Sequence, residues 1–210
     1  MPVTITRIEP QQNNKKRFSL YSDDAFIIGV TDETLLSFNI HRGCRLTEKI
    51  LQKIKEREYI LALRDQAFRF LARRPHSCVE LEIKLIKKKF DKELISSLIE
   101  ELKIKKYLDD EEYTRLIIQD EIKIKKSGPL IIKHKLFKKG VDQDIINDMI
   151  NDLYSDELQL QNCGDLAQKK IAILHNASSD KKVHLMTNYL RLKGFTWNTV
   201  TEVVRQTIKE

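Results

Sequence analysis

The chain is poor in the residues that interrupt helices. It contains six glycines and four prolines in 210 residues, and no proline follows Pro129. Because glycine and proline are the strongest breakers of helical segments, their scarcity favours long helices over a sheet with many tight turns.

Cysteine is equally scarce, and long apolar runs are missing. Cys44, Cys78 and Cys163 are odd in number and far apart, which argues against a disulfide framework. No apolar run approaches the length of a transmembrane helix, and the first residues lack the apolar core of a signal peptide. We therefore expect a reduced, cytoplasmic protein that does not bind a membrane. We also expect it to be a monomer.

Charged residues, in contrast, are abundant and unevenly distributed. They make up 33% of the chain, with a net charge of +7, which favours an acidic partner such as nucleic acid or an acidic protein face. Residues 121–140 carry seven lysines against Glu121, whereas residues 141–165 carry seven acids and neither Lys nor Arg. This pattern predicts a basic helix followed by an acidic helix.

The apolar residues around this segment belong to a threefold internal repeat. Phe90 and Val141 are 51 residues apart, and Val141 and Phe195 are 54 apart. Around each of these three anchors, apolar residues recur at the same six offsets, except that a threonine takes the last offset in the third copy. The residues at these offsets are Leu81, Leu85, Ile95, Leu98, Ile99 and Leu102; Ile132, Leu136, Ile146, Met149, Ile150 and Leu153; and Met186, Leu190, Val200, Val203, Val204 and Thr207. Such a period is typical of stacked supersecondary units.

Each copy predicts two helices joined by a tight turn at the anchor. Gly140 and Gly194 precede their anchors, where the C-terminus of a helix favours a left-handed residue. Lys89 occupies this position in the first copy, and we expect it to adopt the same conformation at some cost.

Residues suited to capping helices support these boundaries. Ser77 and Glu80 form the pattern of a capping box, with Ser77 bonding the Glu80 amide and Glu80 reaching back. The other expected N-caps are Thr47, Asp91, Asp142 and Thr196. A further helix precedes each pair, over residues 48–73, 110–125 and 165–175.

These elements predict a mainly all-α fold with three tandem three-helix repeats in an elongated, curved array. Residues 17–21 and 25–30 predict an N-terminal β-hairpin, and a short helix follows at about 32–39. The predicted units are the N-terminal hairpin and short helix (1–46), the long helix with repeat 1 (47–109), repeat 2 (110–157) and repeat 3 (158–210).

Catalytic motifs are not evident in the sequence. The acids Asp109 to Glu112 suit the N-terminus of a helix; a metal or acid–base site is the less favoured alternative, because no histidine follows at ligand spacing. Cys78 follows a helix cap but has no resolving partner nearby in the sequence. Trp197 is interpreted as a packing residue. We predict no catalytic residue, metal or cofactor.

Several ordered motifs resemble the RecX family, the regulators of the RecA recombinase. The family pattern Arg-Pro-x-Ser-x-x-Glu-Leu is matched at 74–81, the Tyr-Leu-Asp-Asp box at 107–110 and the Lys-x-Gly-Pro helix start at 126–129. Lys106 replaces the glycine that precedes the second motif in the family. The N-terminal hairpin also resembles that of longer members, so the likeness covers nearly the whole chain.

The resemblance implies a non-enzymatic regulator with tandem three-helix repeats. Such proteins lie in the groove of the RecA–DNA filament and hinder its growth, its ATP hydrolysis, strand exchange and cleavage of the SOS repressor. The basic segments would then face the filament or its DNA. The predicted binding residues are Arg73, Arg74, Lys84, Lys87, Lys88, Arg115, Lys123, Lys126, Lys133, Lys135, Lys138 and Lys139.

Two alternatives remain open at this point. One is a helical-repeat protein that binds single- or double-stranded DNA independently of RecA. The other, less favoured, is an enzyme built around Asp109–Glu112.

Overall fold

A computed structural model describes residues 2–12, 14–174 and 178–209 of the chain. The last residue of the helix predicted over 165–175, His175, lies outside the described residues, as do the terminal residues Met1 and Glu210.

The N-terminal region contains a three-stranded antiparallel sheet instead of a simple hairpin. Strand β1 spans Val3–Thr4, β2 Arg7–Gln11, β3 Asn14–Ser22 and β4 Ala25–Thr31; helix α1 spans Asp32–Ser37 and β5 spans Arg45–Leu46. The predicted hairpin is β3–β4, in which Phe18 pairs with Val30. Strand β2 adds to the free side of β3. It was not predicted because it contains Pro10, which a sheet tolerates on an edge strand such as this one.

Helix α2 (Glu48–Leu71) connects this region to the repeats. Ile54, near its N-terminus, belongs to the apolar core of the N-terminal region. Leu63 and Ala67, two to four turns further on, belong to the core of the first repeat. One continuous helix therefore contributes to two cores.

Three units of three helices account for the rest of the described chain. Unit 1 consists of α2, α3 (Cys78–Lys87) and α4 (Lys92–Ile104). Unit 2 consists of α5 (Asp110–Lys123), α6 (Pro129–Lys138) and α7 (Gln143–Leu153). Unit 3 consists of α8 (Asp156–Ile173), α9 (Ser179–Leu192) and α10 (Trp197–Lys209). We refer to α3, α6 and α9 as the middle helices.

Each unit has an apolar core of its own, built from the repeated positions. Of the residues at the six offsets, only Met149 and Leu153 are half-buried, and the others are buried. The mainly all-α fold with tandem three-helix repeats and a small N-terminal antiparallel sheet is thus confirmed. The residue boundaries between the units stay a prediction.

The acidic segment 141–165 is two helices, so the prediction of a single acidic helix was wrong. Helix α7 ends at Leu153, and Tyr154 leaves the helical conformation with φ −129° and ψ 74°. Ser155 then caps α8 by accepting a hydrogen bond from the Leu158 amide. Helix α8 therefore begins nine residues before the predicted start at 165, and Gly164 lies within it.

The predicted left-handed turns are present in all three units. The φ angle is +65° at Lys89, +73° at Gly140 and +88° at Gly194. Lys106, which replaces a family glycine, is also left-handed at +60°. Lys126, before α6, is left-handed too, at +51°. Three lysines therefore adopt a conformation that costs about 1–2 kcal/mol in residues other than glycine.

The expected N-caps are confirmed, with one correction at Glu80. Ser77 accepts a hydrogen bond from the Glu80 amide at 3.1 Å, as predicted. The Glu80 carboxylate does not reach back to Ser77; it binds Arg74 and Lys139 instead. Arg74 and Lys139 together supply three cationic donors, which outcompete the single backbone N–H of the capping box.

Neighbouring units meet through the ends of their middle helices. At the first joint, the Ser77 hydroxyl at the start of α3 donates to the Lys139 carbonyl oxygen at the end of α6, at 2.5 Å. At the second joint, the Gly128 amide at the start of α6 donates to the Lys193 carbonyl oxygen at the end of α9, at 2.7 Å. Ser77 and Gly128 are equivalent by the repeat, as are Lys139 and Lys193. The three middle helices thus follow one another end to end, and terminal amides and carbonyls that a lone helix leaves unpaired find partners.

This docking explains where the turns need glycine. A Cβ atom on Gly140 would lie 2.4 Å from Val79 of unit 1, and one on Gly194 would lie 2.6 Å from the Ile131 amide nitrogen of unit 2. The turn of unit 1 does not dock onto a preceding repeat, so the side chain of Lys89 has room and is exposed.

Candidate partner-binding surface

Most of the predicted binding residues lie on or beside two middle helices. Lys84, Lys87 and Lys88 lie on α3 or at its C-cap; Lys133, Lys135, Lys138 and Lys139 lie on α6 or at its C-cap; Arg115 and Lys123 lie on α5; Arg73, Arg74 and Lys126 lie in the loops before α3 and α6. Because α6 meets α3 end to end, the two basic helices are consecutive in space.

A buried carboxylate neutralises part of this charge at the first joint. Glu80 accepts two hydrogen bonds from the Arg74 guanidinium, at 2.9 and 2.6 Å. It also binds Lys139 Nζ of unit 2 at 2.6 Å, and Lys84 Nζ lies 3.9 Å away. Burial alone would raise the pKa of Glu80, but the hydrogen bonds from Arg74 and Lys139 lower it to about 2. Glu80 is thus an ionised link between the two units.

A second carboxylate plays the same part within unit 2. Glu121 binds Lys125 Nζ at 2.5 Å and Lys135 Nζ at 2.7 Å, and the Ser127 hydroxyl donates to it at 2.7 Å. Burial opposes ionisation here too, but these three donors hold the pKa of Glu121 below its usual value. By the 51-residue repeat, Lys125 and Lys135 correspond to Arg74 and Lys84. The same pair of cations is therefore neutralised in both units, by a carboxylate on α3 in one and on α5 in the other.

Three more predicted residues have partners within the chain. Lys126 binds Asp165 across the second joint, Lys133 Nζ donates to the Asn147 side-chain oxygen at 2.8 Å, and Arg115 lies 3.4 Å from Glu112. The first of these pairs helps to hold unit 3 against unit 2.

Five predicted residues have neither an ion pair nor a side-chain hydrogen bond among the described residues, and all five are exposed: Arg73, Lys87, Lys88, Lys123 and Lys138. Lys87 and Lys138 occupy equivalent positions in the last turns of α3 and α6. The positive charges of these residues are exposed to solvent and do not stabilise the fold through ion pairs among the described residues. Whether they bind a partner stays a prediction.

Exposed apolar side chains accompany these cations. On α3, Ile83 lies one turn before Lys87 and is 45% exposed. On α6, Phe137 is 62% exposed beside Lys138. Exposed aromatic side chains such as Phe137 are enriched in surfaces that bind proteins, whereas binding to phosphates needs only the charge. We call Ile83, Lys87, Phe137 and Lys138 the paired ridge.

The acidic group at Asp109–Glu112 serves the local structure. Asp109 caps α5 by accepting hydrogen bonds from the Glu111 and Glu112 amides, both at 3.1 Å. Asp110 accepts a hydrogen bond from the Cys78 amide at 2.9 Å, so it joins α5 to the start of α3. Within residues 2–12, 14–174 and 178–209, no three His, Cys, Asp or Glu side chains come together as metal ligands. Burial and the nearby Asp110 raise the pKa of Cys78 to about 12, which keeps the thiol protonated.

Sequence reasoning did not find the two carboxylates that organise the cations. Glu80 was assigned to a capping box, and Glu121 was counted only as an opposing charge. The i, i+4 spacing of Glu121 and Lys125 was a usable signal for an ion pair. The ion pair between Glu80 and Lys139, 59 residues apart, could not be predicted from any local sequence pattern.

These features define a tandem helical-repeat protein that exposes cations on two middle helices, α3 and α6, which meet end to end. Comparison with known proteins identifies the family. The chain matches the regulatory protein RecX N-terminal domain over residues 3–47, the first RecX three-helix domain over 64–102 and the second over 109–150. The chain belongs to the RecX family of regulatory proteins.

Individual relatives agree with this placement. A regulatory protein RecX of Listeria monocytogenes (strain EGD-e) is 31% identical over 91% of this chain and 71% of its own length. One of Clostridioides difficile (strain 630) is 27% identical over 96% of this chain and 94% of its own. A crystal structure of regulatory protein RecX superposes with a TM-score of 0.74 at 22% identity, covering 98% of this chain and all of that one, which shows the shared fold. No helix in the described part of the chain is long and apolar enough to cross a membrane.

Proposed function

We propose that this protein is a non-catalytic regulator that binds the RecA–DNA filament as a monomer in the cytoplasm and mainly inhibits its recombinase, ATPase and coprotease activities. Membership of the RecX family supports the regulatory role. The paired ridge is the observation that carries the binding mode, because it presents a lysine at equivalent positions of two successive units, each with an exposed apolar side chain on the same helix. A periodic surface of this kind suits a periodic partner such as a protein filament.

The dimensions of the ridge favour many contacts of moderate strength. Helices α3 and α6 are 10 residues long, so each extends about 15 Å. Lys87 and Lys138 therefore lie about one helix length apart along the array. Each contact adds little alone, but two or more joined rigidly bind much more tightly than either one.

The DNA-dependent ATPase activity of RecA tests this proposal. We expect inhibition at substoichiometric amounts of the protein, since a filament-bound regulator affects many subunits. The charge-reversed variant Lys87→Glu/Lys138→Glu should need about tenfold more protein for half-inhibition, which corresponds to about 1.4 kcal/mol of binding free energy. The matched control is Lys15→Glu/Lys16→Glu, which reverses two exposed charges on β3 of the N-terminal sheet. Absence of inhibition at equimolar protein would contradict the proposal.

Independent binding to nucleic acid remains the second candidate, since residues 121–140 carry a net charge of +6 from seven lysines and one glutamate. It predicts tight DNA binding without RecA and a salt dependence that falls when Lys133, Lys135, Lys138 and Lys139 become Ala. Four contacts to single-stranded phosphates would account for a slope of about 2.8. Because Lys135 and Lys139 bind buried carboxylates, we expect a decrease of at most about half that value.

A further inference from the structure

The single tryptophan of the chain is exposed on unit 3, although a packing role was expected for it. Trp197 begins α10, and 61% of its surface is accessible to solvent. Val200, Val203 and Val204 fill the core beneath α10, so the fold does not depend on the indole ring. A large aromatic side chain left in solvent costs hydration free energy unless a ligand covers it.

Two cations flank this ring. The Arg191 guanidinium carbon, at the end of α9, lies 5.6 Å from the centroid of the indole ring in cation–π geometry. Arg205 lies eight residues along α10 from Trp197, about 12 Å away. Both arginines are exposed, and neither has an ion pair among the residues that the structure describes. Residues 179–209 carry six Lys or Arg against Asp180 and Glu202, so the surroundings favour an anionic ligand.

Two hollows of different chemistry adjoin the ring. A groove of about 420 Å³ between α9 and α10 is lined mainly by apolar side chains, including Val183, Val204 and Ile208. A shallow hollow of about 650 Å³ along α10 is lined by Asn198, Glu202 and Gln206. Arg205 lines both.

A nucleobase combines the features that these hollows would recognise. Its flat face stacks on an indole ring, its edge carries donors and acceptors that side-chain amides and carboxylates can pair with, and its phosphate is anionic. In a duplex the base faces are covered by their neighbours, so only a single strand offers them. An apolar protein segment would use the groove but neither the amides nor the arginines.

We propose that Trp197, with Arg191 and Arg205, forms a stacking site for a base of single-stranded nucleic acid on unit 3. The indole ring stacks on the base, Arg191 supports the ring from the end of α9, and Arg205 binds phosphate of a strand that runs along α10. Glu202 and the amides of Asn198 and Gln206 face the edge of the base. This site does not depend on the proposed binding to the RecA filament.

Intrinsic fluorescence tests the site directly, because Trp197 is the only tryptophan and reports on its own position. We expect an oligo(dT) strand, added at low salt without RecA, to quench the emission saturably as a base stacks on the ring. Inorganic polyphosphate, which has charge but no bases, should leave the emission nearly unchanged. Equal effects of both polyanions, or DNA binding without quenching, would overturn the site. A blue shift on addition of RecA without DNA would mean that a protein segment fills the apolar groove and would overturn it as well.

Variants provide an independent measurement through the anisotropy of a labelled oligo(dT). Replacing Trp197 by Ala should weaken binding roughly 5- to 150-fold, the range for loss of one stacked base, and Trp197→Phe should retain most of the affinity. Tyr107→Ala is the matched control, since it removes an aromatic side chain that is 57% exposed outside unit 3; its affinity should equal that of the wild type. Wild-type affinity in Trp197→Ala would refute the site.

The two proposals can fail separately. If Trp197→Ala binds bare single-stranded DNA poorly but inhibits RecA normally, the stacking site stands and is not needed for inhibition. If oligo(dT) does not quench Trp197 but the RecA ATPase is inhibited, the stacking site is refuted and the regulatory role stands.

Discussion

Substitution of Gly128 by Ala should separate unit 3 from unit 2. Gly128 has an ordinary φ of −73°, so its backbone accepts alanine without strain. An added Cβ atom would, however, lie 2.2 Å from the Gly194 carbonyl carbon and 2.3 Å from the Phe195 amide nitrogen. Backbone atoms in a docked turn cannot move aside, so the joint must open.

The magnitude follows from the bonds that would be lost. The Gly128 amide donates to Lys193 at 2.7 Å and the Leu130 amide to Gly194 at 3.0 Å. Each such bond contributes about 0.5–1.5 kcal/mol, so their loss costs about 1–3 kcal/mol. Alanine is also a poorer N-cap than glycine, by roughly 0.5 kcal/mol. We expect a total loss of about 1.5–3.5 kcal/mol in the coupling of unit 3.

Urea denaturation followed by two signals measures this loss. Trp197 fluorescence reports on unit 3, whereas far-ultraviolet circular dichroism reports on all the helices. In Gly128→Ala the fluorescence transition should move to lower urea and separate from the dichroism transition, as expected when an interface between repeats fails. The matched control is Gly164→Ala within α8, where an added Cβ meets nothing within 4 Å; it should be more stable by about 0.5–1 kcal/mol. An unchanged fluorescence midpoint in Gly128→Ala would refute the docking geometry.

Three further predictions concern a turn, a buried charge and the acidic group at Asp109–Glu112. Lys89→Gly should stabilise the protein by about 1 kcal/mol, since it relieves a left-handed lysine; a lower melting temperature would contradict this. Because the pKa of Glu80 falls from 4.5 to about 2 on folding, its contribution of roughly 3 kcal/mol is present above pH 4.5 and lost as pH falls toward 2. Glu80→Gln should therefore be less stable than the wild type at pH 6 and nearly equal to it at pH 2 in urea titrations, whereas a constant difference would exclude the linkage. Asp110→Ala and Glu112→Ala should retain RecA inhibition when corrected for stability, and loss of inhibition in the folded variants would revive a catalytic role.

The repeats could be predicted from the sequence because their determinants are local and occur three times. The apolar spacing around Phe90, Val141 and Phe195 specifies two helices and a turn without knowledge of the rest of the chain. Left-handed glycines mark the same turns. Strand β2 and the first turns of α8 were missed, since Pro10 and the mainly polar residues 156–164 weaken the patterns on which such predictions depend.

The functional surface was harder to predict because pairing between distant residues decides which charges remain available. Nothing in the sequence distinguishes Lys84, Lys135 and Lys139 from Lys87 and Lys138. In the structure, however, the ammonium groups of the first three lie within 4 Å of a buried glutamate, either Glu80 or Glu121. Their pairing depends on how helices pack within and between units, which a linear charge pattern does not contain. The exposure of Trp197 was missed for a different reason, since a tryptophan in an amphipathic helix is usually interpreted as a core residue.

Co-sedimentation of the labelled protein with RecA–ssDNA filaments, compared with free RecA and with bare single-stranded DNA, tests the central claim most directly. We predict that the wild-type protein pellets with the filaments far more than with DNA alone and leaves free RecA unbound. The Lys87→Glu/Lys138→Glu variant should remain largely in the supernatant. The account would be contradicted if wild type and variant bound the filaments equally. It would also be contradicted if the wild-type protein bound bare DNA as strongly as filaments, because the paired ridge is proposed to bind RecA.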